Sequence, residues 1–387
     1  MKEIDALIKQ YALPHTIYIT QPTMPDFERY SSMLKRIWET KWLSNYGEFH
    51  RELEQRLLHF LGVQYCSLFC NGTLALLSAM KALNLKGEVI TTPFSFPATA
   101  NVLKWLNLKP VFCDIEEKTF TINPENIKRL INKKTSAILP VHVYGYPCDV
   151  NAIQNIADTH GLKIIYDAAH AFGVRLNGTA LVQYGDASML SFHATKLFTT
   201  LEGGALIMKD EQLKREIDSL KNFGIVDEET VLRPGINAKM NEFQAAFGIL
   251  QLEQVEHEIA SRRHIHELYM NKLTSVPGIV LPSRNPNVKH NYGYFPILIK
   301  EEQYGMSRDA LYSVLLRFNI HTRKYFYPLI SSYSFFKRLS TTLSAHLPVA
   351  EQAAEQVLCL PIYGTLAHDT AKRIAEVIAI LSEKYVL

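Results

Sequence analysis

Three groups of residues in this 387-residue chain have the types and spacing of one chemical apparatus. Lys196 closes the run Ser191-Phe192-His193-Ala194-Thr195-Lys196. Upstream, Lys163-Ile164-Ile165-Tyr166-Asp167 reads as a buried strand that ends on a carboxylate, and Cys70-Asn71-Gly72-Thr73 opens an apolar helix. An amine on a loop between buried strands has its pKa lowered toward neutrality by desolvation, so it can bond an aldehyde carbon and later act as a general base. A carboxylate at the end of an apolar strand is costly unless it is paired, and a pyridinium nitrogen is a suitable partner. A helix N-terminus offers free N–H groups to a phosphate dianion. Amine, carboxylate and phosphate seat together are what pyridoxal 5'-phosphate requires of a protein.

Each signal is weak by itself. A lone lysine is ordinarily a surface residue, an Asp ahead of Ala168-Ala169-His170 could cap a helix, and Asn-Gly-Thr is a common turn plus cap. Phe96 could stack on a pyridine face, although an aromatic at a strand end is more often core. His170 and His193 flank the proposed site, and each could equally be a hydrogen-bonded structural histidine. The chain has no His-Glu-x-x-His and no Cys/His cluster, so no metal is expected. It also lacks G-x-G-x-x-G and Walker loops, the usual markers of nicotinamide and nucleoside-triphosphate chemistry.

The elements that must position these residues alternate from about residue 50 to 210. Helical spacing marks Glu52–Leu61, Leu74–Leu83 and Val150–His160. Strands are expected at Glu88–Thr92, Pro110–Asp114, Ala137–Val141, Lys163–Tyr166, Ala187–Phe192 and Gly203–Met208. Strand–helix–strand spacing implies crossover units and a mostly parallel sheet, whose ligands gather beyond the carboxyl ends of the strands. Asn241–His266 reads as a long linking helix and Asp369–Lys384 as a final amphipathic one. Tyr292–Ile299 reads as a strand, and the first 25 residues as an extended arm containing Pro14, Pro22 and Pro25. The expected division is an arm over 1–25, a large cofactor-binding domain over 26–254 and a small C-terminal domain over 255–387.

A net charge of +3, with no basic arm, gives no case for a nucleic-acid partner. Five cysteines without a C-x-x-C pair fit a reducing compartment rather than a disulfide scaffold. The N-terminus has no signal-peptide layout, and no apolar run reaches the roughly 20 residues that span a bilayer, so a cytoplasmic location is expected.

These residues resemble a known family, the DegT-type, fold-type I sugar aminotransferases that act on nucleotide-linked keto sugars. The resemblance rests on Trp42-Leu43-Ser44-Asn45-Tyr46-Gly47, Asn71-Gly72-Thr73, Ala98-Thr99-Ala100-Asn101 and Pro140-Val141-His142-Val143-Tyr144-Gly145. It continues through Asp167-Ala168-Ala169-His170-Ala171-Phe172-Gly173, Ser191 to Lys196 with Glu202-Gly203-Gly204, Gly235 to Glu242, and Leu358-Cys359-Leu360-Pro361. It implies an α/β fold, with a mostly parallel sheet flanked by helices plus a smaller α/β C-terminal domain.

The same resemblance implies roles. Lys196 is similar to the family's Schiff-base lysine and Asp167 to its pyridinium partner. Phe96 matches the stacking aromatic and His170 the contact to the cofactor's phenolic oxygen. Gly72, Thr73 and Ser191 match phosphate ligands. Asn237 matches an asparagine that reaches the neighbouring subunit's cofactor, which implies a homodimer with shared active sites. Tyr46, Arg323 and Tyr325 are candidate nucleotide-sugar contacts. The chain departs from the family at Lys239, where the family has an arginine capable of bidentate binding. Some members carry histidine in place of the lysine and are dehydratases, so Lys196 favours transamination.

Arg323 to Leu329, together with His193, is most similar to members that aminate carbon 4 of a dTDP-linked 4-keto-6-deoxyhexose. The implied reaction moves an amino group from L-glutamate to dTDP-4-dehydro-6-deoxy-D-glucose, giving dTDP-4-amino-4,6-dideoxyglucose for surface polysaccharide. Alternatives are amination at carbon 3, the galacto epimer, a UDP- or GDP-linked sugar, and, in a different class, a non-catalytic sensor on the same fold.

Overall fold

Seven strands build the central sheet of the computed structural model, which describes residues 2–385. In chain order they are β1 (Tyr65–Phe69), β2 (Glu88–Thr91), β3 (Lys109–Phe112), β4 (Thr135–Leu139), β5 (Lys163–Asp167), β6 (Ala187–Ser191) and β7 (Gly204–Met208). Their spatial order is β1-β7-β6-β5-β4-β2-β3. The run from β6 to β3 pairs in parallel, and β7 is antiparallel to both of its neighbours. The mostly parallel sheet expected from the crossover spacing is therefore present. Its register sets Asp167 beside Met189 and Ser191 beside Gly204, so two of the candidate residues end neighbouring strands at one edge.

Helices cover both faces because the strands are apolar on both sides. One face buries Leu53 and Leu57 of the Glu48–Leu61 helix with Ile153 and Ile164, and the other buries Ala75, Leu76 and Ala79 of the Gly72–Ala82 helix with Val89 and Leu206. Asn71 caps the second helix by accepting the Leu74 N–H at 2.9 Å. Glycine matters at this junction: a Cβ on Gly204 would lie 2.6 Å from the Gly72 nitrogen. Only a bare backbone in β7 lets the helix start rest on the sheet end.

A second sheet joins Ile279–Val280, Phe295–Ile299 and Val357–Leu360 in antiparallel fashion. The Glu242–Leu273 helix serves both cores: Ala245, Ile249 and Ile259 pack on the large sheet, whereas Ile265, Tyr269 and Leu273 pack with Phe295 and Leu358. The 254/255 boundary thus falls inside one continuous helix.

The structure departs from the sequence-based expectation in the first 25 residues and adds elements that expectation did not name, the strand β1 among them. Lys2–Tyr11 is a helix rather than an extended segment, because Leu7, Ile8 and Tyr11 form a helical stripe against the C-terminal core. The strand β1 carries Ser67 inside its apolar run; that hydroxyl is buried and bonded to Asp218 at 2.6 Å, which satisfies it there.

Candidate active site

Lys196 stands on the loop between β6 and β7. The turn is closed by the Lys196 N–H donating to the His193 carbonyl at 2.9 Å, and by Thr199 Oγ1 and the Thr200 N–H donating to the Phe192 carbonyl at 3.0 Å each. Its amine Nζ lies 3.1 Å from Tyr294 Oη. Burial pulls the lysine pKa down to about 8, against the opposing influence of Asp167 and then Tyr325. At neutral pH about a tenth is therefore free amine, far more than for an ordinary lysine, and this is the form that acts as nucleophile or base.

Asp167 ends β5 and is buried. Its Oδ2 accepts the Thr99 hydroxyl at 2.7 Å and its Oδ1 accepts the Ala169 N–H at 3.1 Å. Ser95 Oγ lies 2.8 Å from Thr99 Oγ1, and since that hydroxyl already donates to Asp167, Ser95 donates to Thr99. Burial pushes the Asp167 carboxyl above its usual range, while Thr99, Ala169 and the Lys196 charge pull it back. A cationic N–H beside it would relieve that burial cost.

His170 follows on the same loop. Its Nδ1 accepts the Tyr144 N–H at 3.0 Å, so in the neutral ring the proton sits on Nε2. Burial, and then the Lys196 charge, hold its pKa well below the usual histidine value. The imidazole is thus a neutral donor facing the cavity, packed 4.4 Å from the Tyr294 ring.

One cavity of about 390 Å³ is lined by Gly72, Thr73, Phe96, Asp167, His170, Ser191 and Lys196. Its volume lies within the usual range for small-molecule sites. Arg323 and Tyr325 line the same cavity, as do Tyr294 and Glu202. Phe96 is 57% exposed, so it is not the core aromatic that strand ends commonly carry. At Gly72 a Cβ would meet Met189 Sδ at 2.8 Å, and the helix start there has its first-turn N–H groups directed outward from the helix. Helix N-terminus, buried carboxylate, neutral imidazole donor and depressed lysine together fit the phosphate, ring nitrogen, phenolic oxygen and aldehyde of pyridoxal phosphate.

Two predicted residues do not line this cavity. Asn237 is exposed and its Oδ1 accepts the Lys239 amine at 2.9 Å. Tyr46 lies over the buried Lys221 amine, 4.8 Å from its ring centroid. Residues absent from the sequence-based site are Thr99, Ser95, Tyr294 and Tyr144. Thr99 lay within a recognisable motif, Ala98-Thr99-Ala100-Asn101; Tyr294 had no local signal, being embedded in a run that reads as a strand. Among the described residues there is no group of three or more His, Cys, Asp or Glu that could hold a metal.

Comparison with known proteins places this geometry. The profile of the DegT/DnrJ/EryC1/StrS aminotransferase family matches residues 26–379. The chain is 48% identical to a dTDP-4-amino-4,6-dideoxy-D-glucose transaminase of Escherichia coli, covering 94% of this chain and 98% of the relative. It is 45% identical to the protein of the same name in Shigella dysenteriae, with the same coverage, 94% and 98%. The crystal structure of DesI in the presence of its TDP-sugar product superimposes with a TM-score of 0.93 at 32% identity, covering 99% of this chain and 97% of that one.

Proposed function

Because the chain belongs to the DegT/DnrJ/EryC1/StrS aminotransferase family, we propose that it is a pyridoxal-phosphate-dependent transaminase carrying the amino group of L-glutamate to the 4-keto carbon of dTDP-4-dehydro-6-deoxy-D-glucose. The product is dTDP-4-amino-4,6-dideoxyglucose. The observation that carries this reading is the convergence of Lys196 and Asp167 on one cavity. Near-full-length identity to two transaminases named for that amino sugar supports the choice of substrate.

The bound cofactor supplies an electron-withdrawing ring that stabilises the charge left when a proton departs from an amino-bearing carbon. Lys196 would hold the cofactor through its aldehyde at rest and, when free, would be the base that moves that proton. Its pKa of about 8 lets it gain and lose a proton near neutrality. Asp167 would keep the ring nitrogen protonated, and its burial would leave that charge pair poorly screened. Gly72, Thr73 and Ser191 would hold the phosphate, Phe96 would cover the ring, and Nε2 of His170 would donate to the phenolic oxygen. The wall of Tyr144, Tyr294, Tyr325 and Phe326 keeps water from the amine. Arg323 and Tyr325 contact the nucleotide sugar from this chain.

The active unit in this reading is a homodimer, in which Asn237, outside the chain's own cavity, serves the neighbouring site. The working division remains an arm over 1–25, a cofactor domain over 26–254 and a C-terminal domain over 255–387. The reaction would serve surface-polysaccharide synthesis, including O-antigen, in the cytoplasm. NMR of the product tests the chemistry: an equatorial amine on carbon 4 is expected, and an amine on carbon 3 or an axial one would overturn the assigned product.

A further inference from the structure

The amine of Lys196 has a neighbour whose chemistry matches its task. Tyr294 Oη lies 3.1 Å from Nζ, whereas the nearby carboxylate, Asp167, directs its two oxygens to Thr99 and Ala169. We propose that Tyr294 is a further catalytic residue: its hydroxyl holds the released Lys196 amine in both protonation states and keeps it at the cavity wall for proton transfer. The proposal rests on the aminotransferase reading above.

A hydroxyl can accept from an ammonium and donate to a free amine, whereas a carboxylate or carbonyl can only accept and would bias the lysine toward its charged form. A base that must alternate between the two forms is therefore best held by a phenol. Tyr294 also keeps its proton, since burial pushes its pKa upward.

The ring is firmly placed. It lies 4.4 Å from His170, 5.6 Å from Tyr144 and 5.9 Å from Tyr325, centroid to centroid. Its backbone precedes the Phe295–Ile299 strand, and Asn291 Oδ1 accepts the adjacent Gly293 N–H at 3.1 Å. Asn291 in turn donates to the carbonyls of His170 and Phe172 at 2.8 and 3.0 Å. The C-terminal part of the chain is thereby tied to the loop that carries His170, and the phenol is delivered to the lysine from a segment distant in sequence.

Tyr294→Phe removes the hydroxyl and retains the packed ring; Tyr294→Leu is the substitute should the first variant not fold. Competitive acetylation of the cofactor-free protein, read on the Lys196 peptide by mass spectrometry across pH, reports the bond directly. Freed from the phenol O–H, the amine lone pair should react about two- to tenfold faster at the alkaline plateau, the factor for one net hydrogen bond. In the holoenzyme, kcat for glutamate should fall roughly tenfold to hundredfold while KM changes little. The kinetic isotope effect with α-deuterated glutamate should rise, a change that a merely structural defect would not produce. A plateau rate equal to wild type, or an unchanged isotope effect, overturns the proposal. If the wild-type protein itself fails to transaminate, the aminotransferase reading falls, and the acetylation comparison still decides whether the hydrogen bond exists.

Discussion

Thr99→Val removes one hydroxyl and keeps the β-branched shape, so it deletes the hydrogen bond to the carboxylate together with the one that hydroxyl accepts from Ser95. Thr99 donates to Asp167 Oδ2 at 2.7 Å, and both residues are buried. A hydrogen bond to an ionised group contributes about 1.5–3 kcal/mol. At 1.36 kcal/mol per pKa unit, its loss raises the carboxyl pKa by about 1–2 units. The direction follows from the site: burial already lifts this pKa, and Thr99 is the largest of the groups restraining it. Since the ionised form loses more than the protonated one, the proton balance shifts by the same amount from a charged ring nitrogen toward Asp167 itself. The donor half-reaction should slow about tenfold to hundredfold, and the acid limb of its pH profile should move upward. Stopped-flow absorbance of the glutamate half-reaction measures the rate, and Thr99→Ser, which restores a hydroxyl, should recover most of it. A valine variant within twofold of wild type over the whole pH range would refute the argument that this bond sustains the Asp167 charge.

Other outcomes follow from the same geometry. Asp167→Asn should lose at least about a hundredfold in transamination, because a neutral amide cannot hold the ring nitrogen charged; the half-reaction rate checks this. In the cofactor-free protein, Lys196 should acetylate with a midpoint at about pH 8, its reactivity rising as pH rises through that value while ordinary lysines remain protonated. Gly72→Ala forces a Cβ to within 2.8 Å of Met189 Sδ and should destabilise the protein by about 1–3 kcal/mol in urea melts, with weaker cofactor retention. Lys221→Met should cost about 3 kcal/mol in the same melts, since it removes a fully buried amine bonded to Ser67 Oγ at 2.7 Å and paired with Asp218 at 3.0 Å.

The lysine and the aspartate were readable because each is tied to a strand end: the β5 and β6 runs are short, apolar and followed by polar residues, and parallel pairing places their carboxyl ends together. The Gly72 helix start was readable for a similar local reason, an N-cap ahead of an apolar run. Tyr294 was not, because its function depends on a long-range meeting of the C-terminal segment with the Lys196 loop, which no local pattern encodes. Thr99 lay in a motif that was recognised, yet its hydrogen bond to Asp167 appears only when helix and strand are assembled. The helix at Lys2–Tyr11 was obscured by the prolines that follow it, although its own apolar spacing is helical. The β1 strand was obscured by a buried serine whose partner, Asp218, lies far along the chain.

The central claim is that Lys196 and Asp167 run amino transfer between glutamate and a dTDP-linked 4-keto sugar. The most direct test loads the holoenzyme with L-glutamate, removes the 2-oxoglutarate and excess donor, and then adds dTDP-4-dehydro-6-deoxy-D-glucose while the cofactor absorption is followed. The account predicts that glutamate abolishes the band of the lysine-bound cofactor, that the keto sugar restores it with one equivalent of 4-amino sugar formed, and that Lys196→Ala does neither. A band that ignores glutamate, or a glutamate-treated enzyme that ignores this sugar, would contradict it.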